Sequence, residues 1–199
     1  MWAFINLVKK RRSIYGLGKN SKYSIEEIEN RIREVMKHLP SAFNSQSTRV
    51  VVVFGEAHEK FWNHIYDVQK DVLTGDMKEW MSGVVNGAKK GLGTVLFFED
   101  RNVVKNMPTN EARKEAYKQN NNAIAQYAIW LALAEMDLGA NLQHFNIGYE
   151  QGFDKGTREL FNLPDSYEMI AQMPFGSIEQ EPRKKEFIDT DEQVKVFDK

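Results

Sequence analysis

Several polar clusters in this chain carry residue types that suit ligand chemistry. Arg11, Arg12 and Ser13 set two guanidinium groups beside a hydroxyl. A guanidinium can fork two N–H donors onto one phosphate. Basic residues there would equally complement the C-terminal end of the helix they close. Ser41, Ala42, Phe43, Asn44, Ser45 and Gln46 form an uncharged run of hydroxyls and amides. Such groups can match the donor and acceptor edge of a planar heterocycle, and they also suit an ordinary turn. Arg183, Lys184 and Lys185 are a short basic run, readable as a solvated patch or as an anion contact. Lys89 precedes an apolar run; a cation there could stabilise charge developing on a reduced ring, or simply face solvent. His144, flanked by Leu142 and Phe145, reads either as a core histidine with one hydrogen bond or as a pocket wall. Tyr127 and Trp130 read as core or interface anchors. No Ser/His/Asp or Cys/His arrangement is visible, so nothing points to a protein nucleophile.

The bulk properties narrow the function classes. The chain has 199 residues and a formal net charge of −1, which disfavours nucleic acid as partner. No apolar run approaches the roughly 20 residues that span a bilayer. The basic cluster follows the first apolar stretch, the reverse of a secretory signal. Cys is absent, excluding disulfides and thiolate metal sites. His38, His58, His64 and His144 form no compact ligand motif, so no metal is expected. A single cytoplasmic domain, residues 1–199, is the expectation.

These residues need elements to position them. The pattern predicts a first helix from Trp2 to Lys10, then a loop broken by Gly16 and Gly18. Ser24 with Glu27 three residues on is a capping-box signal. Ile25, Ile28, Ile32, Val35, Met36 and Leu39 then recur at helical spacing up to Pro40. Arg49 to Phe54 is a β-branched run that reads as a strand buried on both faces. A helix from Glu56 to Leu73, with Val72 on its apolar side, and a shorter helix after Gly75 follow. Lys89, Lys90, Gly91, Leu92 and Gly93 read as a basic turn feeding a second buried strand, Thr94 to Glu99. After Pro108 a long helix runs from Asn110 to Met136. Its second half is apolar nearly all round, as befits a core or a subunit interface, and Gly139 suits its C′ cap. Asn141 to Phe145 reads as a short strand or loop, Thr157 to Phe161 as a helix, and Tyr167 to Gly176 as a strand ending in a turn. In the charged tail, Val194 to Phe197 alternates like an edge strand, expected to pair with a partner subunit.

The order of these segments resembles the FMN-dependent nitroreductase family, in particular its short bacterial and fungal subgroup named after a yeast fatty-acid-repression mutant. The resemblance rests on Arg11-Arg12-Ser13-Ile14-Tyr15, on Pro40 to Val52 with its Ser-x-x-Asn-x-Gln core, on Gly93 to Asp100, on Ala134 to His144, and on Gln172-Met173-Pro174-Phe175-Gly176. It implies an α+β sandwich with a central, mostly antiparallel sheet wrapped by helices. It further implies an interlocked homodimer built on the long helix, with a C-terminal tail of about 178–199 embracing the partner.

The resemblance also implies a cofactor and a site. Arg11 and Ser13, supported by Arg12, would hold the FMN phosphate and ribityl chain, and Arg183 and Lys185 would close on the same phosphate. Ser41, Asn44 and Gln46 would reach the isoalloxazine from the other subunit. Lys89 would sit near its N1/O2 edge, and Gln143 and His144 would pack behind the ring, with a main-chain N–H aimed at N5. The implied activity is ping-pong hydride transfer from NADH or NADPH through flavin N5 to a nitroaromatic or quinone-type small-molecule acceptor. A non-catalytic flavin-binding or regulatory dimer of the same fold is the alternative. A helical interaction protein is disfavoured by the two strand runs. Tyr15 departs from the basic residue common at that position, and the chain is shorter than typical members.

Overall fold

Residues 3–145 and 153–198 are described in the computed structural model; Trp2, the expected helix start, lies outside them. Helix α1 spans Ala3–Lys10 and buries none of its residues. Helix α2 spans Ile25–Lys37 behind the expected capping box: Ser24 Oγ accepts from Glu27 N–H, and Glu27 accepts from Ser24 N–H at 2.7 Å. The two strand runs become β2 (Thr48–Phe54) and β3 (Gly93–Asp100), joined through α3 (Gly55–Gln69) and α4 (Gly75–Lys89). A short α5 (Arg101–Lys105) precedes the long α6 (Glu111–Glu135), which is capped by Asn110 as its polar side chain and position suggest. Helix α7 covers Phe153–Phe161, and the short α8 covers Thr190–Gln193.

The sheet also contains β1 (Leu17–Gly18), β4 (Gly139–Ala140) and β5 (Tyr167–Ile178). Its order is β1-β5-β3-β2, with β4 also on β5, and every named strand pair is antiparallel. Strand β3 is buried throughout except at Asp100. Side chains of a strand alternate between faces. Val95 and Phe97 therefore enter the core under α2 and α6, with Ile28, Ile129, Leu133 and Phe175. Leu96 and Phe98 enter the core under α3 and α4, with Phe61, Trp62, Ile65 and Met81. Burying such side chains contributes about 1.5–3 kcal/mol each before chain entropy is subtracted.

Several local expectations are corrected. Strand β2 is not buried on both faces: only Val53 is buried, because β2 is the sheet's edge and Val50, Val52 and Phe54 line an open cleft against α2. Helix α3 stops at Gln69, leaving Val72 57% exposed in a turn. Helix α4 matches α3 in length and includes Lys89, which therefore ends a helix rather than opening the turn. Asp137, at φ +59°, takes the left-handed position after α6 expected for Gly139; Gly139 instead lies in β4, where a Cβ would press on Ile14. The strand ending at a turn near Gly176 continues to Ile178, because β1 pairs with its last residues. Helix α7 starts at Phe153, a turn before the expected Thr157. Among the described residues, no helix is long and apolar enough to cross a membrane.

Gly176 is where β5 touches β1 most closely. A Cβ there would lie 2.0 Å from the Gly18 carbonyl oxygen and 2.8 Å from Leu92 N, both backbone atoms that cannot swing aside. Gly176→Ala is expected to destabilise the fold by about 1–3 kcal/mol, as overpacking does. Chemical denaturation measures this, and an unchanged midpoint would show that β1 is not packed this way.

Candidate active site

The chain between α1 and β1 is laid along the end of the sheet. Ser13 bridges Ala140 of β4, Ile14 N–H donates to Ala140 O at 2.9 Å, and the buried Asn141 amide donates to Ile14 O at 2.7 Å. Asn141 Oδ1 in turn accepts from Gln143 Nε2 at 2.6 Å. One carboxamide thus ties the Arg-Arg-Ser segment to the stretch after β4. From the C-terminal side, Arg12 donates to the Arg183 carbonyl at 2.5 Å. These pieces surround a cavity of about 480 Å³: Tyr15 on one side, Asn141, Leu142 and Gln143 on another, Arg183 at the edge. Helix α4 supplies the remaining wall through Trp80, Gly83, Val84 and Gly87.

The stretch after β4 is strand-like, and its alternation decides which main-chain donors are free. Asn141 N–H bonds Pro174 O, Gln143 N–H bonds Gln172 O at 2.7 Å, and Phe145 N–H bonds Gln172 Oε1 at 2.8 Å. The intervening Leu142 and His144 N–H groups point away from β5 and make no hydrogen bond among the described residues. His144 itself is exposed, which removes the reading of it as a core histidine. The core histidine is His58, which the spacing of histidines did not reveal. Its Nδ1 bonds Thr94 Oγ1 at 2.9 Å, and its Nε2 bonds the Ala88 carbonyl at 3.1 Å. The Ala88 carbonyl can only accept, so His58 Nε2–H donates to it; Nδ1 then accepts from the Thr94 hydroxyl, whose oxygen accepts from Trp62 Nε1–H. Burial lowers the His58 pKa and keeps the ring neutral in this relay. The relay pins the end of α4, and hence that wall of the cavity, to β3.

Arg11 lies beneath the α1 end of this region. Its guanidinium carbon is 4.5 Å from the Trp130 ring centre and 6.0 Å from that of Tyr127, a cation–π arrangement on α6. Its Nε is buried with no acceptor. A buried donor without a partner costs free energy, about 1–3 kcal/mol, unless something fills the vacancy.

Of the expected groups, Gln143 and Arg183 line the cavity; Arg12 is tied to it through the Arg183 carbonyl and Ser13 through its bridge to Ala140, while Arg11, on the α6 rings, and the exposed His144 flank it in the chain without lining it. Three expected groups stand apart. Lys89 donates to Asn63 on α3 and does not line the cavity, because its place at the C-terminal end of α4 aims it across that helix pair. Lys185 lies over the Phe187 ring at 5.1 Å in the exposed tail. Ser41, Asn44 and Gln46 lie on a separate loop; Ser41 and Gln46 line the cleft between α2 and β2, of about 630 Å³. Tyr15, Trp80, Gly83 and Asn141 line the cavity without having been singled out. Only Asn141, beside Gln143, carried a signal, as a polar residue inside an apolar stretch.

An antiparallel sheet between two helix layers, with a polar cavity beside β4, is the architecture of nitroreductase-type oxidoreductases. The chain belongs to the nitroreductase family, whose pattern matches residues 8–177. It is similar to the Saccharomyces cerevisiae protein HBN1, at 28% identity covering 98% of this chain and 96% of that one. It is also similar to nitroreductase FRM2 of the same yeast, at 25% identity and 93% of both chains. Among solved structures, nitroreductase CinD from Lactococcus lactis in complex with nicotinic acid superposes with a TM-score of 0.85 at 34% identity, covering 98% of this chain and 100% of that one. CinD in complex with 4-nitrophenol gives 0.83 at 35% identity, with the same coverage.

A charge clamp holds the Arg-Arg-Ser segment in place. Asp137, just past α6, accepts from Lys10 at 2.5 Å and from Lys22. Hydrogen bonds and charge from these two lysines lower the Asp137 pKa from its ordinary 3.8 to about 2. A depressed carboxylate stabilises the fold above its unfolded pKa and loses that contribution as pH falls toward the folded value. Unfolding measured from pH 5 down to pH 2 should therefore show a loss through about 4 to 2 that Asp137→Asn abolishes. Asn retains the left-handed backbone. At neutral pH the variant should cost less than about 1 kcal/mol, because the pair is exposed. An identical acid profile in the variant would remove the clamp.

Proposed function

We propose that this chain is an FMN-dependent NAD(P)H oxidoreductase that reduces nitroaromatic or quinone-type acceptors. The observation that carries the reading is the cavity rimmed by Asn141, Leu142, Gln143 and Arg183, to which Arg12 is tied through the Arg183 carbonyl, with Arg11 next in the chain keeping a buried Nε that has no acceptor. Guanidinium groups of this kind would take the FMN phosphate. Leu142 N–H and His144 N–H would supply main-chain donors to the ring edge. When bound, FMN supplies hydride transfer between a nicotinamide donor and an acceptor. The chain's own part is to bind, orient and exclude water, and the pairing of Asn141 with Ile14 O and Gln143 holds the donor stretch still. The complexes of CinD with nicotinic acid and 4-nitrophenol support ring-shaped ligands of both expected kinds. Lys89 would have to leave Asn63 to act on the flavin, so it is not assigned a contact.

The reading includes a homodimer. Ile124 and Tyr127 on α6 and Phe4 and Ile5 on α1 are exposed apolar residues on two packed helices, a surface suited to a second copy. Val194, Val196 and Phe197 are at least 63% exposed, while the edge of β2 and the apolar cleft beside it stand open. The partner's tail would add there as a strand, as open sheet edges invite. Ser41, Asn44 and Gln46 would then meet the partner's flavin.

Purified protein reconstituted with FMN should be yellow, bleach with NADH, and regain colour with 4-nitrophenol or a quinone. A protein that binds no FMN in excess would refute the proposal; bound flavin without NAD(P)H turnover would leave only a flavin-binding dimer. Arg11→Ala is expected to weaken FMN binding at least tenfold, since charge-assisted bonds contribute about 1.5–3 kcal/mol, read by fluorescence quenching of free FMN. Removing residues 194–199 should shift sedimentation toward monomer; an unaltered dimer would take the tail out of the interface.

A further inference from the structure

We infer that Asn121, on α6, is the positioning residue that holds the 41–47 loop in a ligand-competent shape; its effect on the flavin rests on the function proposed above. The loop has an unusual backbone. Phe43, Asn44 and Gln46 have φ values of +56°, +50° and +49°, and none is glycine. Left-handed non-glycine residues persist only where surrounding groups dictate them. The loop's own bonds are few: Asn44 N–H to Ser41 O, Ser45 N–H to Ala42 O, and Gln46 N–H to Ser41 Oγ at 2.9 Å.

Arg49 donates to Gln46 O at 2.6 Å and the Phe43 ring meets Tyr117 edge-on, but the restraint that spans the loop is one buried carboxamide, 4% exposed. Asn121 Oδ1 accepts from Ala42 N–H at 3.0 Å, and Nδ2 donates to Ser45 Oγ at 3.2 Å and to Ser47 Oγ at 3.1 Å. Its acceptor and both donors therefore grip residues on either side of the left-handed ones. The polarity of the grip is set by the loop's own backbone donor at Ala42. Ala42 N–H can only donate and so takes the Asn121 carbonyl oxygen, which turns Nδ2 toward the two serine oxygens. Beyond Ser47, the Thr48 hydroxyl at 2.5 Å and the Asn122 amide at 3.0 Å bond the buried Glu99. Asparagine presents an acceptor toward Ala42 and donors toward Ser45 and Ser47 from one side chain, whereas aspartate has no donor and would put a charge at a buried position.

Asn121→Asp keeps the volume and the acceptor but removes both donors and places a charge at a buried position. In the apo-protein, amide hydrogen exchange of Asn44, Ser45 and Gln46 should speed up at least about tenfold while β3 and β5 amides stay as in the parent. FMN affinity should fall about tenfold, the scale of one or two lost hydrogen bonds. Asn44→Gly, which keeps the left-handed backbone and removes the side chain, should add little to that loss, because both changes act through one loop. Unchanged loop exchange overturns the inference, as does a flavin loss that adds fully with Asn44→Gly. If the Asp variant does not fold, Ser45→Ala, which removes one bond in a half-buried loop position, should show the same pattern at smaller size; parent-like exchange there is also fatal. A parent protein that binds no FMN refutes the proposed function instead, and the exchange arm still decides whether Asn121 holds the loop.

Discussion

Strand β3 has no solvent face, and the positions of both helix layers follow from that. Val95 and Phe97 can be buried only if α2 and α6 cover one side, and Leu96 and Phe98 only if α3 and α4 cover the other. Hydrophobic burial is non-directional, so it brings these layers together without choosing their rotation. Directional bonds to β3 and its neighbours make that choice. The Trp62–Thr94–His58–Ala88 relay fixes the end of α4, and Asn122, bonded to Phe98 O and Glu99, fixes α6.

The polar groups buried in α6 are consistent with this division of labour. Lys118 is 5% exposed and lies between Glu115 and Glu168 at 2.8 and 2.9 Å, and Gln126 bonds Asn122 at 2.7 Å. Burial raises the Glu99 pKa, and donors from Ser47, Thr48 and Asn122 oppose the shift. A buried polar network helps a fold when its members are satisfied and costs when they are not. Here the network joins the long helix to the 41–47 loop on one side and to β3 and β5 on the other, linking the chain's two polar regions through one rigid element.

Those two regions do not meet within one chain. Arg183 and the Asn141–Gln143 stretch rim one cavity, whereas Ser41 and Gln46 rim a different cleft. A site assembled from both needs two copies, which agrees with the apolar outer faces of α1 and α6 and with the open edge of β2. The same geometry makes the stability of each subunit and the completeness of its site separate quantities: the cores close within one chain, and the proposed flavin environment closes only between chains.

Local patterns in the sequence were enough for the elements whose causes are local. The Ser24–Glu27 capping box and the apolar run of β3 are both written in residues within a few positions of one another. The family order of Arg11 to Ser13, Ser41 to Gln46 and Gln143 to His144 located the polar patches as well. Periodicity was blind to the sheet's edge, so β2 looked as buried as β3. It assigned the cap of α6 to Gly139, when Asp137 took the left-handed turn and Gly139 was needed for close packing on Ile14. His58 and Asn121 gave no usable local signal, because their partners lie 30 or more positions away. A hydrogen bond depends on distance and angle between groups that only folding brings together, and for that reason residue types announced the chemistry while the tertiary structure alone decided which of them hold the site.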